Sequence, residues 1–215
     1  MPADSIEFLL PRLSIEDLPS KTVVLREGQV ADSLCVLAKG LVQIFTSLGR
    51  SEATVLVLHP VTAFGVDAVL RNSVLLTSAR AVRTCRIVRI PANDVRELVE
   101  QNQEFRQVIM NDLALSHENV VRELKNMRLR TGFQRLVAWI VAMQAQAGAS
   151  SEIELPYDKS LLAARLGMSP ETLSRDLARL TDLGVTVRGR WLTISDTNTL
   201  GLSVTVDELN RPSIP

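Results

Sequence analysis

At 215 residues and 46% hydrophobic content, the chain has room for one large or two modest domains with real cores. Its apolar runs, the longest being Leu136 to Met143, fall well below the ~20 residues of a membrane-spanning helix, and Cys35 and Cys85 give no sign of a disulfide framework or a cysteine-ligated cluster. Lys plus Arg and Asp plus Glu both number 24, so net charge alone does not point to nucleic acid, whose phosphates supply most non-specific affinity.

The opening Met1-Pro2-Ala3-Asp4-Ser5 has no basic region before its apolar patch, so the expectation is a cytoplasmic protein without a secretory signal or membrane anchor. From about Lys21 to Ile90 the chain reads as short strands, among them Leu34-Cys35-Val36-Leu37, Leu41-Val42-Gln43-Ile44-Phe45 and Ala53 to Leu58. Gly28, Gly40, Gly49, Pro60 and Gly65 punctuate them at spacings that suit an antiparallel barrel or roll.

After Pro91 the period becomes helical, with a short helix around Asp94 to Glu100 and a long one over about 103–128. Met110, Leu113, His117, Val120, Leu124 and Met127 fall alternately three and four apart, the a/d seam of a coiled coil. Arg106, Asp112, Glu118, Arg122, Glu123 and Lys125 keep the other faces charged, which favours a dimer helix over an intrachain core helix. A further helix, about Phe133 to Gln146, ends at Gly148. The tail after Asp196 has little periodicity and is expected to be partly ordered at best.

Between them, Asp158 to Leu180 reads as two short helices around Gly167. Leu162, Ala163 and Leu166 give the first its buried face, Ser169 caps the second with Pro170 in its first turn, and Leu173, Leu177 and Leu180 hold the second against the first. That leaves Glu171, Thr172, Ser174, Arg175 and Arg179 exposed near a helix N-terminus, where base edges of duplex DNA would lie. Val185 to Ile194 then reads as two strands joined at Arg188-Gly189-Arg190, a wing whose arginines can reach phosphates. From Arg128 to Asp196, nine Lys plus Arg face seven Asp plus Glu, so placement of the arginines carries the inference rather than their number.

The stretch from Leu155 to Leu200 closely resembles the winged domain of the cyclic-AMP receptor and fumarate-nitrate reductase regulator (Crp-Fnr) family, and the resemblance runs along nearly the whole chain. Pro170-Glu171-Thr172-Leu173-Ser174-Arg175 looks most like the subgroup of nitrogen-oxide and low-oxygen regulators. The resemblance implies an α+β fold with an N-terminal cupin-like β-roll, a long dimerisation helix and a C-terminal winged helix-turn-helix. It places a sensory domain over residues 1–128 and the DNA-binding domain over 129–215. It also implies a homodimeric transcription regulator on a palindromic TTGAT-type site, with RNA polymerase as a partner if it activates. Glu171 and Arg175 would address the G·C pair and Ser174 a neighbouring thymine, as donor and acceptor chemistry also suggests.

The sensory half departs from the family pattern. Cyclic-nucleotide-binding relatives place a glutamate after the turn glycine and a basic pair downstream; here Phe64-Gly65 is followed by Val66, and Leu76-Thr77 stands where the pair belongs. Phe64, Gly65, Val66, Leu76 and Thr77, with His117, are the candidate effector pocket, yet an apolar site leaves a cyclic phosphate unpaired, so no cyclic nucleotide is expected. No iron-sulfur cluster is expected either, because two isolated thiols cannot supply four ligands. Haem remains a candidate, with His59 or His117 as its ligand. The rival reading is a haem or other small-molecule sensor for nitric oxide or redox signals, whose winged domain serves protein contacts. No paired carboxylates, activated nucleophile, phosphate loop or metal motif points to an enzyme.

Overall fold

In a computed structural model of the chain, residues 3–49, 51–148 and 150–195 are described; the tail after Asp196 lies outside them. The chain divides into two compact units, Met1–Asn119 and Val120–Pro215.

The first unit opens with α1 (Ala3–Leu9), then β1 (Ser14–Leu18), β2 (Val23–Leu25), β3 (Ser33–Lys39), β4 (Val42–Leu48), β5 (Ser51–Leu58) and β6 (Thr62–Phe64). After α2 (Val66–Arg71) come β7 (Ser78–Ala81), β8 (Cys85–Pro91), α3 (Ala92–Gln101) and α4 (Gln103–Leu129), whose last turns belong to the second unit. The strands form two four-stranded antiparallel sheets, ordered β1-β8-β3-β6 and β2-β7-β4-β5. Alternation builds the core: in β8, Cys85 and Ile87 are buried while Arg86 between them is exposed. They join Leu37, Val42 and Val69 in one buried cluster. Gly40 has φ 103°, and a Cβ there would lie 2.5 Å from the Thr84 carbonyl oxygen, so only glycine fits this close approach of neighbouring backbones.

The second unit adds α5 (Gly132–Gln146), β9 (Glu152–Glu154), α6 (Lys159–Arg165), α7 (Pro170–Arg179), a 3-10 turn (Leu180–Leu183), β10 (Val185–Arg188) and β11 (Trp191–Ile194). Thr131 and Gln134 form a reciprocal capping box that starts α5 directly after α4. Leu136, Ile140, Leu155, Leu162, Leu173 and Leu192 are fully buried and make the core of this unit. Sequence reading gave the wing two strands; the sheet has three, ordered β10-β11-β9 and antiparallel throughout. The architecture is the expected α+β one: β-roll, long helix and winged helix-turn-helix.

Candidate nucleic-acid interface

The helix-turn-helix is assembled from local signals. Asp158 caps α6 by accepting from the Leu161 amide at 2.8 Å, and Leu161, Leu162 and Ala163 bury the inner face. Gly167, at φ 62°, makes the turn. Ser169 then caps α7, its hydroxyl accepting from the Thr172 amide at 3.2 Å with Pro170 in the first turn. Leu173, Leu177 and Leu180 are buried.

That packing decides which face α7 presents. Glu171, Ser174 and Arg175 are exposed and Thr172 is half-buried, its hydroxyl accepting from Arg175 Nη2 at 3.3 Å. Hydrogen bonds from the Ser169 hydroxyl and from its own backbone hold the Glu171 carboxyl below the usual carboxylate range, so it remains a charged acceptor. Arg179 is differently employed. Its guanidinium lies 4.2 Å from the centroid of the Phe133 ring and 3.1 Å from Asp176, so it is braced against its own domain while remaining open to a phosphate.

On the wing, Arg188 pairs across the strands with Trp191, and Gly189 and Arg190 form the tip. Arg188 is exposed. Arg190 instead donates to the Leu155 carbonyl at 2.9 Å and lies 3.5 Å from Glu154, tying the tip to β9. Sequence reasoning singles out the arginines and passes over Trp191, the cross-strand partner of Arg188, which is 51% exposed.

The unit is clamped to the end of α4. Arg135 on α5 donates to the carbonyls of Arg130 and Leu166, both at 2.8 Å, and to that of Gly167 at 3.3 Å. A Cβ on Gly167 would fall 2.7 Å from Met127 Cε, so the turn of the motif rests on Met127.

Along α4, Met110, His117, Val120, Leu124 and Met127 are exposed, the four apolar ones by 48–56%. Leu113 is half-buried against the β-roll core. Val108, Leu115 and Val121 are also exposed, so the bare apolar surface is wider than the six-residue seam.

At the nucleotide position, Phe64 and Val66 are buried in the core of the roll, Gly65 takes φ 79° before α2, Leu76 is 69% exposed and Thr77 is half-buried. Asp67 points to solvent. Phe64, Gly65, Val66, Leu76 and Thr77 thus set buried hydrocarbon and an exposed leucine at these positions, with no charged side chain among the five. His59 and His117 are both exposed. Cys35 and Cys85 are free and buried, and burial pushes the Cys35 thiol up to about 11, far from a reactive thiolate. Among the described residues no helix is long and apolar enough to cross a membrane.

Residues 15–102 match the cyclic nucleotide-binding domain family and residues 134–201 the Crp-like helix-turn-helix domain family. The chain is 26% identical to an anaerobic regulatory protein of Pasteurella multocida over 200 residues, covering 90% of this chain and 72% of that one. A solved putative cyclic nucleotide binding protein from Ruegeria pomeroyi is 29% identical, with TM-score 0.62 and coverage of 96% and 92%. FixK2 from Bradyrhizobium japonicum shares the fold at TM-score 0.79 and 14% identity, over 89% of this chain and 97% of its own. With both domain families matched in the order that the β-roll and the winged motif occupy here, the chain belongs to the Crp-Fnr family of transcription regulators and carries that family's helix-turn-helix DNA-binding domain.

Proposed function

We propose that the protein acts as a homodimer on a palindromic TTGAT-type site, with a signal received by the β-roll passed along α4 to the two recognition helices. The observation that carries this reading is α7 itself: three leucines buried on one side, and Glu171, Ser174 and Arg175 exposed on the other at a capped helix N-terminus. Arginine pairs with guanine O6 and N7, and glutamate accepts from cytosine N4, so the exposed pair is chemically complete for one G·C step. Ser169, Pro170 and Thr172 fix the helix start, while Arg179, Arg188 and Arg190 orient the module on phosphates.

The bare seam on α4 supports the dimer, because several half-exposed apolar side chains in one row are unfavourable in water unless a second copy covers them. Two-fold symmetry then requires a palindrome. The effector is not a cyclic nucleotide in this reading, and the working compartment is the cytoplasm, where the DNA is. Fluorescence anisotropy with a TTGAT palindrome and a scrambled duplex of equal length tests the proposal; equal affinity for both would return the winged domain to a role in protein contacts.

A further inference from the structure

A groove of about 530 Å³ in the first unit is lined by none of the residues at the nucleotide position. It lies where β1, β2 and the end of β8 meet the turn before β3, and its ionic lining is Arg12, Glu16, Arg26, Asp32 and Arg89. These groups differ in how far their hydrogen bonds are already spent. Arg89 Nε donates to both Glu16 carboxylate oxygens at 3.1 Å, Nη2 to the Val24 carbonyl at 3.2 Å and Nη1 to the Ser33 hydroxyl at 3.4 Å. Ser33 in turn donates to Asp32 at 2.9 Å. This closed network is the floor.

The rim is not closed. Arg26 is exposed, and among the described residues its guanidinium makes no hydrogen bond or ion pair. Arg12 donates to the Phe8 carbonyl and comes no nearer than 4.0 Å to Asp94. Three guanidiniums against two carboxylates leave the lining one positive charge in excess. The rest of the lining is mixed: Val24, Leu25, Leu75 and Pro91 stand beside Ser14 and Gln29, and Val30 is 62% exposed at the edge.

This lining selects a ligand class. A guanidinium fork with unspent donors matches a planar carboxylate, and one negative charge balances the excess. A dianionic phosphate ester would bring its second charge beside Glu16 and Asp32, where like charges repel. Exposed Val30, with Pro91 among the lining, offers a place for a hydrocarbon body, and the volume is within the ~300–1,000 Å³ of small-molecule sites. An occupant would also bear on the rest of the roll. Leu25 and Leu75 are the side chains nearest a Cβ placed on Gly65, at 3.4 and 3.7 Å, and the Asp32 carbonyl accepts from the Ala92 amide that begins α3.

We propose that this groove is the effector site of the β-roll and takes a small organic monocarboxylate with an apolar body, anchored by Arg26. The assignment rests on the reading of the β-roll as sensory, but binding can be measured without DNA. Calorimetric titration of the full chain with benzoate, against benzamide and inorganic phosphate, provides the test. Benzoate binds saturably and about tenfold or more tighter than either control, and Arg26→Gln loses about that factor. Val30→Glu, a second exposed position, weakens benzoate similarly and decides the matter if Arg26→Gln melts early. Absence of saturable benzoate binding, equal binding of benzamide or phosphate, or unchanged affinity in the folded variants overturns the site. Benzoate that binds but leaves operator affinity unchanged overturns its role as effector. If the protein binds no operator at all, the titration still decides the groove.

Discussion

Arg165 Nη2 donates to Glu123 Oε1 at 2.6 Å, joining the first helix of the DNA-binding motif to the last turns of α4 across 42 residues of chain. Both side chains are largely shielded, Arg165 to 19% and Glu123 to 31% exposure, so the pair is not an ordinary surface bridge. With Met127 against Gly167 and Arg135 on three turn carbonyls, it makes the end of the long helix part of the DNA-reading unit.

Glu123→Gln should therefore destabilise the protein by about 1.5–3 kcal/mol, because a shielded guanidinium loses a charged partner. Denaturant midpoints measure this. The exchanged pair Glu123→Arg with Arg165→Glu should recover part of the loss; a double variant no better than the sum of the single ones would show that packing, not the ion pair, holds the joint.

The two wing arginines should behave differently. Arg188→Ala, which leaves the fold untouched, should weaken every duplex alike and lower the salt slope by about one. Arg190→Ala should also loosen the wing, since it removes the bond to Leu155 and the contact with Glu154, and its thermal midpoint should fall. Salt-dependent anisotropy together with thermal melts separates the two effects.

Asp112 lies half-buried on α4, and burial pushes its carboxyl above the usual range. The folded state therefore holds this proton more tightly than the unfolded state, so stability contributed at this site falls as pH rises through the raised value. Asp112→Asn should raise the thermal midpoint at about pH 7 and change it little at a pH below about 3.9, where the unfolded side chain is protonated too. A variant that is destabilised at neutral pH would mean that the carboxylate has a favourable partner.

Val120→Asp should shift the protein toward monomer and reduce operator affinity, because two copies across a two-fold axis would set carboxylates against each other in a dry seam. Val120 is 50% exposed in the single chain, so the substitution leaves the protomer folded. Sedimentation at low micromolar concentration reads the outcome. A variant that stays dimeric and binds normally would remove α4 from the interface.

The helix-turn-helix was legible in the sequence because its determinants are local: the Ser169 cap, the Gly167 turn and leucines at helical spacing each act within a few residues. The long helix was legible for the same reason. What escaped were features that depend on distant partners. The strand Glu152–Glu154 exists through pairing with β11, and its three residues carry too little pattern to announce it. Leu113 fits the seam by spacing, yet the roll beside it claims part of its surface. Arg179 reads as a free cation until Phe133 is seen beneath it, 46 residues away in the chain.

Base reading by Arg175 from α7 is the central contact of the proposed function. Competition anisotropy at fixed salt, comparing a TTGAT palindrome with a scrambled duplex for the wild type and Arg175→Ala, tests this most directly. Wild type should prefer the palindrome, and Arg175→Ala should lose about 1–3 kcal/mol of that preference per half-site while keeping its affinity for scrambled DNA. A wild type that does not discriminate, or an Arg175→Ala protein that discriminates as well as wild type, would contradict it.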